Sequence, residues 1–268
     1  MKIPMESDYF PDSGNILVNL GRFVLVNIRN SGIGVMMVLE SFLFFPLFHR
    51  RWSELVRQMF TVGIKSFGVV SLVAFFTGMI LSLQAGIELR DYGQEMRVGT
   101  LVTESMFREM GPFMAALILA ACVGSAMAAE LGTMAVSEEI AALEVMSINP
   151  VYYLVMPRIL AMMIMCPALT VYTNIIGVIG GGAVAYSQLD VEWRVYYDYA
   201  VMYLDMKEVL VGTLKALVFA VIVAGVGCYQ GVATRGGAVG VGIATRRSVV
   251  ISFLLIIAVG YFITRSFY

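Results

Sequence analysis

Five apolar runs dominate the chain, at residues 63–86, 111–129, 151–186, 209–232 and 248–263. A helix needs about 20 mostly apolar residues to cross a bilayer. The runs meet or approach that length, the third with enough to spare for a tilted or broken helix. Backbone groups inside lipid must be satisfied within the segment, which leaves the α-helix as the economical solution for such runs. The expected fold is therefore an all-α integral membrane protein with five transmembrane helices. Composition agrees: 14% of residues are charged, whereas soluble domains carry about 25%.

The same composition excludes several functions. A net charge of -1 gives no basic surface for nucleic acid. Cys122, Cys166 and Cys228 all lie in apolar runs without CxxC spacing, and read as small buried hydrophobes rather than metal or redox ligands. Residues 1–13 form an acidic tail with no apolar h-region, so no cleavable signal peptide is expected.

Residues 14–54 differ in pattern from the five apolar runs. Asn15, Asn19, Arg22 and Arg29 fall on one side of a 3.6-residue period, with Ile16, Leu20, Phe23 and Val24 largely elsewhere. Such a helix lies in the membrane interface. The run 33–48 is short and holds Glu40 and Pro46, which favours an interfacial elbow over a sixth span. Orientation is set by Lys and Arg in short loops. Arg50, Arg51 and Arg57 precede the first span, and Arg235, Arg246 and Arg247 lie between the fourth and fifth. Placing these in the cytoplasm puts the N-terminus inside and the C-terminus outside. The outer loop 187–208 is rich in Trp and Tyr, which suits a membrane interface or a docked partner.

Between the second and third spans lies AAELGTMAVSEEIAALEVMSINP, residues 128–150, with four glutamates and no Lys or Arg. Ser137 reads as a helix N-cap, with Glu138 and Glu139 at the positive end of the helix dipole. Ile140, Leu143 and Met146 then form an apolar stripe, and Asn149-Pro150 ends the helix. Interfacial helices usually carry basic residues toward headgroups. An acidic face points instead to a protein partner with a basic or mixed groove.

Charges within spans are costly and mark candidate sites. Lys65 and Arg158 lie near the cytosolic ends of their spans, where each can snorkel, or Arg158 can pair with an acid of the 128–150 segment. Lys215 lies roughly 10 Å along a helix from Glu208, too deep for easy snorkelling. It requires a wet cavity or an acid. Arg108 can pair with Glu104 one turn away, which leaves Glu109 for Lys215. Lys215 and Glu109 would then form a polar layer that either meets a lipid headgroup or simply fixes helix packing.

The segment ELGTMAVSEEIAALEVMSINPVYYLVMPRILA resembles the signature of the MlaE family of ABC transporter permeases. LVRQMFTVGIKS, FREMGPFMAALILAACVGSAMAAELGTM and GCYQGVATRGGAVGVGIATRRSVV extend the resemblance across most of residues 55–264. It implies an interfacial elbow helix, five spans and a permease domain over 55–268. It also implies a homodimer with a second permease copy, a cytosolic ABC ATPase that binds ATP and Mg, and a periplasmic MCE-domain protein. Some systems of this kind add a STAS-domain protein. The cargo implied is phospholipid, and the location is the bacterial inner membrane. The resemblance makes the acidic segment, about 132–149, the coupling helix that docks into the ATPase. Glu130, Gly132, Thr133, Glu138, Glu139, Leu143 and Glu144 carry that role. Leu83, Gln84 and Ile87 match a region lining the family's lipid cavity, and polar residues at Arg108, Glu109 and Lys215 fit the family too. One departure is Gly260, where members often carry an acid.

RGGAVGVG, residues 235–242, lacks the preceding strand and the GK[ST] ending of a phosphate loop, and reads as a flexible connection. Gly177, Gly180, Gly181 and Gly182 read as close helix packing or a helix break. No cofactor of the chain's own and no catalytic constellation is expected. Besides a permease, a membrane scaffold or a secondary transporter remains compatible with five apolar spans.

Overall fold

The computed structural model describes residues 16–202 and 204–268, and among them the only regular structure is helical. Helix α1 covers Ile16–Leu43, and a 3-10 turn, Phe45–Arg51, leads into α2, Trp52–Arg90. Helix α3, Glu95–Val136, includes π turns at Met106–Met110 and Ala120–Gly124. A short α4, Glu139–Val145, precedes α5, Val151–Gln188. Then come α6, Trp193–Met202, α7, Met206–Val232, and α8, Gly237–Phe267. Helices α2, α3, α5, α7 and α8 are long and apolar enough to cross a membrane, and α1 is not among the spans so identified. They run alternately up and down, so α4 marks one end of the bundle and α6 the other.

Each spanning helix is longer than the apolar run within it, since polar residues continue a helix once it leaves the hydrocarbon. The fifth is one clear case. The glycine-rich 235–242 run is no flexible connection, because all but its first two residues lie in α8. Gly236 and Gly237, at φ 85° and 68°, make the turn, in a region where a Cβ is disfavoured. Arg246 and Arg247 consequently sit on the helix, exposed.

Helices α2 and α5 pack along a ridge of small residues four apart: Ser66, Val70, Ala74, Gly78, Ser82 and Gly86 are all buried. A Cβ on Gly78 would collide with the Gly177 carbonyl oxygen, so the two backbones touch there. Small residues at four-residue spacing allow this approach, which supplies packing where lipid gives helices no hydrophobic reason to associate. The α5 glycines therefore serve packing, and α5 runs unbroken through Pro167. The opposite face of α2 exposes Phe60, Ile64, Leu72, Phe76 and Ile80, a surface suited to lipid.

The 1–13 tail and Asn15 lie outside the described residues, as do the side chains of Asn19 and Arg22 on the polar face expected of the N-terminal helix, and Arg29 of that face is exposed. The later part of α1 packs on α7, where Val38 meets Gly225 and Gly34 meets Tyr229. Glu40 accepts a hydrogen bond from Asn149 Nδ2 at 2.8 Å, which ties α1 to the segment before α5. At the other end α6 lies across the start of α3. Tyr196 is buried and its hydroxyl donates to the Val178 carbonyl at 2.9 Å, while Trp193 and Tyr197 stay exposed.

Candidate functional site: a polar layer and an acidic cap

The polar layer starts from a proline. Pro112 has no N–H, so the carbonyl of Arg108, four residues earlier, loses its intrahelical donor. The helix widens into the π turn, with the Gly111 N–H reaching back to the Met106 carbonyl. Lys215, on α7, supplies the missing donor: its Nζ lies 2.8 Å from the Arg108 carbonyl and 2.6 Å from Glu109 Oε1. Thr264, on α8, donates to the same Glu109 oxygen at 2.7 Å. Three helices thus converge on one carboxylate.

Lys215 is 1% exposed, while the side chains of Glu109 and Arg108 are each 37% exposed. The ammonium stands behind the carboxylate rather than in an open cavity. A molecule approaching this layer would meet Arg108 and Glu109 first. Arg108 does not pair with Glu104. It binds Glu208, at the start of α7, because α7 packs on the π turn and brings a buried carboxylate closer than the helical neighbour. Arg108 also lies under the ring of Tyr268, 4.3 Å from its centroid, with Lys207 at 4.8 Å. Such stacking favours cations on an aromatic face. Gly260, where the family often has an acid, is buried, and a Cβ there would meet the Phe219 ring at 3.2 Å. Phe219 fills the space beside it.

Leu83, Gln84 and Ile87 lie on the last turns of α2. Gln84 and Ile87 line a groove of about 570 Å³ with Leu81, Glu88, Leu101 and Ser105, between α2 and α3. Leu83 is partly exposed but does not line it. Arg108, Glu109 and Lys215 are not among the groove's lining residues either, so five of the six candidates divide between two features and Leu83 belongs to neither.

At the other end the seven acidic-segment candidates divide among three pieces. Glu130, Gly132 and Thr133 belong to the last turns of α3, which continues to Val136. Ser137 is therefore a C-cap and no N-cap: its hydroxyl donates to the Thr133 carbonyl and also bonds Glu139, both at 2.9 Å. Glu138 makes the corner at φ 61°, and α4 holds Glu139, Leu143 and Glu144. The helix ends earlier than Asn149-Pro150 suggests, with a second left-handed residue at Ser147. Asn149 instead opens α5, its Oδ1 accepting from the Val151 N–H at 2.8 Å. A helix of this length is not stable alone. Ile140 is buried and Leu143 half-buried against the core, and they hold it in place. Met146, the third residue of the expected stripe, is exposed, as are Val145, Glu138, Glu139 and Glu144. The result is an acidic cap with an apolar tip.

Beneath the cap, Glu130 Oε2 lies 3.1 Å from buried Arg158, which also donates to the Leu154 carbonyl at 2.8 Å. This pair, open among the alternatives for Arg158, joins the ends of α3 and α5. Lys65 is exposed on α2.

Residues 55–266 match the family described as Permease MlaE. The chain belongs to the MlaE permease family. A probable ABC transporter permease protein of Rickettsia prowazekii is 39% identical over 216 residues, covering 81% of this chain and 83% of the relative. The intermembrane phospholipid transport system permease protein MlaE of Haemophilus influenzae is 31% identical over 254 residues, 93% of this chain and 96% of its own. A chloroplastic Arabidopsis thaliana protein, trigalactosyldiacylglycerol 1, is 32% identical over 217 residues, 81% of this chain and 62% of its own. With its five apolar helices, this MlaE-family chain is a multi-pass ABC transporter permease.

Glu208, Thr264 and Tyr268 are the layer residues that reading the sequence missed. Glu208 stands seven residues before Lys215, two turns away on the same helix face, and Pro112 four residues after Arg108 marks the free carbonyl. Those two signals were available. Thr264 reaches Glu109 only through the packing of α8, and no local pattern announces it.

Proposed function

We propose that the chain is the membrane subunit of an ATP-driven phospholipid transporter in a bacterial inner membrane. The observation that carries this reading is the near full-length similarity to the Haemophilus phospholipid permease, in a chain that keeps a buried ion-paired layer inside its spans. In this reading the α4 end faces the cytoplasm, as the Arg residues near it favour, with the N-terminus inside and the C-terminus in the periplasm. The acidic cap docks into an ABC ATPase, which binds ATP and Mg. The permease itself works as a homodimer. Exposed Ala121, Cys122 and Ala126, small residues midway along α3, offer a face that a second helix could approach closely. A periplasmic MCE-domain protein receives or delivers lipid at the α6 end, and a STAS-domain protein attaches to the ATPase in some such systems.

The polar layer and the α2–α3 groove suit the two parts of a phospholipid. The groove is mainly apolar and takes acyl chain. Arg108 presents a guanidinium able to pair with phosphate. Closure of the ATPase would move the caps and change the layer's exposure, handing the lipid on without chemistry.

The test is tagged purification from native membranes, with mass spectrometry of proteins and bound lipid, then transport by the reconstituted complex. Co-purification of an ATPase and an MCE protein with phospholipid is expected. Lys215→Met should stop lipid transfer while the complex still assembles. Full transfer by that variant would end the headgroup role of the layer, whereas an unaltered complex that assembles but moves no lipid would make the chain a scaffold. Recovery of the permease alone after cross-linking would remove the ATPase reading and return a secondary transporter to contention.

A further inference from the structure

Helix α6 is sunk beside the end of α5 rather than perched above it. Tyr196 donates to the Val178 carbonyl, and a Cβ on Gly182 would collide with the Trp193 ring. Both α5 residues belong to the apolar run 151–186. Gly182 stands six residues before the end of α5 at Gln188, roughly 9 Å along the helix, and Val178 ten residues before it, roughly 15 Å. Helix α6 also rests on α3. A Cβ on Gly99 would meet the Tyr196 carbonyl, and the Thr100 hydroxyl donates to the Tyr199 carbonyl at 3.1 Å.

Gly182 belongs to a particular row of α5. Ile175, Ile179, Gly182 and Tyr186 recur at i, i+4, i+7 and i+11, which is one face of a helix. Ile175, Ile179 and Tyr186 are exposed along a membrane span, as suits contact with lipid. The glycine is buried because Trp193 covers it, and the indole is itself exposed. A side chain of α6 thus fills the gap in an outward-facing apolar row of α5. The other faces of α6 are sorted by residue type. Tyr196 and Ala200 are buried, and Arg194 and Asp198 are exposed about half a turn away. Trp193, Tyr197 and Val201 form an exposed row between those two faces. A helix with protein on one side and water on the opposite side meets lipid along its flank. Trp and Tyr suit that flank, with the ring among apolar groups and the N–H or O–H at headgroup level.

We propose that α6 is embedded in the leaflet at its end of the bundle, with Trp193, Tyr197 and Val201 packed against phospholipid where acyl chain meets headgroup. Arg194 and Asp198 then stand on the water side. The lipid in question is the bilayer around the protein, so the proposal does not depend on the chain moving lipid. The contact is separate from the polar layer and the α2–α3 groove, and it ties the ends of α3 and α5 to the plane of the membrane.

The experiment uses the complex purified from native membranes and reconstituted in vesicles of phosphatidylethanolamine and phosphatidylglycerol. Tyr197, Asp198 and Phe76 are replaced in turn by p-benzoylphenylalanine, and after irradiation the peptides carrying a phospholipid mass are measured. Phe76 is exposed on α2 and sets the yield of a lipid-facing position. Position 197 should match that yield, and position 198 should fall several-fold below it. Equal lipid yields at 197 and 198 overturn the proposal. So does the absence of any adduct at 197, because a benzophenone facing water forms no lasting product. Adducts from 197 to another protein or to a second copy of this chain overturn it as well, and name what covers the row.

Discussion

The two ends of the bundle handle charge in opposite ways. In the polar layer, Lys215 is buried and shares Glu109 with Thr264, and Arg108 takes Glu208. In the acidic cap, Glu138, Glu139 and Glu144 stand on the surface, with one buried cation, Arg158, behind them. A charge inside the span has no water to turn to, so the protein must supply each partner, and losing one leaves the other exposed to a poor solvent. A charge on the cap is solvated and costs little to keep. The first arrangement holds helices in register, and the second leaves its acidic residues at the surface.

Substitutions can break or sharpen that contrast. Lys215→Met should have the largest effect on stability, about 2–4 kcal/mol, because Glu109 and the Arg108 carbonyl both lose a donor. Thermal unfolding in detergent checks this, and Lys215→Met with Glu109→Gln should recover part of the loss. Next come the two halves of the Glu130–Arg158 pair. Glu130→Gln should cost about 1–3 kcal/mol, since it leaves a buried guanidinium without its counter-charge, whereas Arg158→Met leaves a carboxylate that water can reach and should cost less. If the order is reversed, the burial asymmetry is not what governs the pair. Thr264→Val removes one hydrogen bond from Glu109 and should cost about 1 kcal/mol. Smallest in stability is Glu138→Lys with Glu139→Lys, within about 0.5 kcal/mol, because both side chains are exposed. That same variant should lose the ATPase on purification. A large drop in unfolding temperature would show that the cap holds the fold together rather than a partner.

Much of this molecule is legible in its residues alone. The apolar runs located all five spans, because a bilayer demands about 20 apolar residues of any helix that crosses it. The Lys215–Glu109 pair was also legible, since a cation two turns inside a span needs an acid. Boundaries were less accessible. The acidic segment reads as one helix from Ser137, yet α3 runs on to Val136 and a left-handed Glu138 starts a new direction. Ser137 is compatible with an N-cap or a C-cap, and only the position of α3 decides between them. Arg108 likewise has an acid at helical spacing in Glu104, but burial of Glu208 against the π turn decides its partner.

The sequence by itself determined the membrane class, the number of spans, the acidic character of the cap and the need for an intramembrane pair. Those are consequences of the cost of placing polar groups in hydrocarbon, which depends on residue type and chain length alone. Tertiary structure decided which carboxylate meets which cation, that Thr264 joins Glu109, and that Lys215 stands behind the layer instead of in front of it. Those depend on how α7 and α8 pack on a π turn, where a shift of a few ångströms makes or loses a hydrogen bond while leaving every apolar run unchanged.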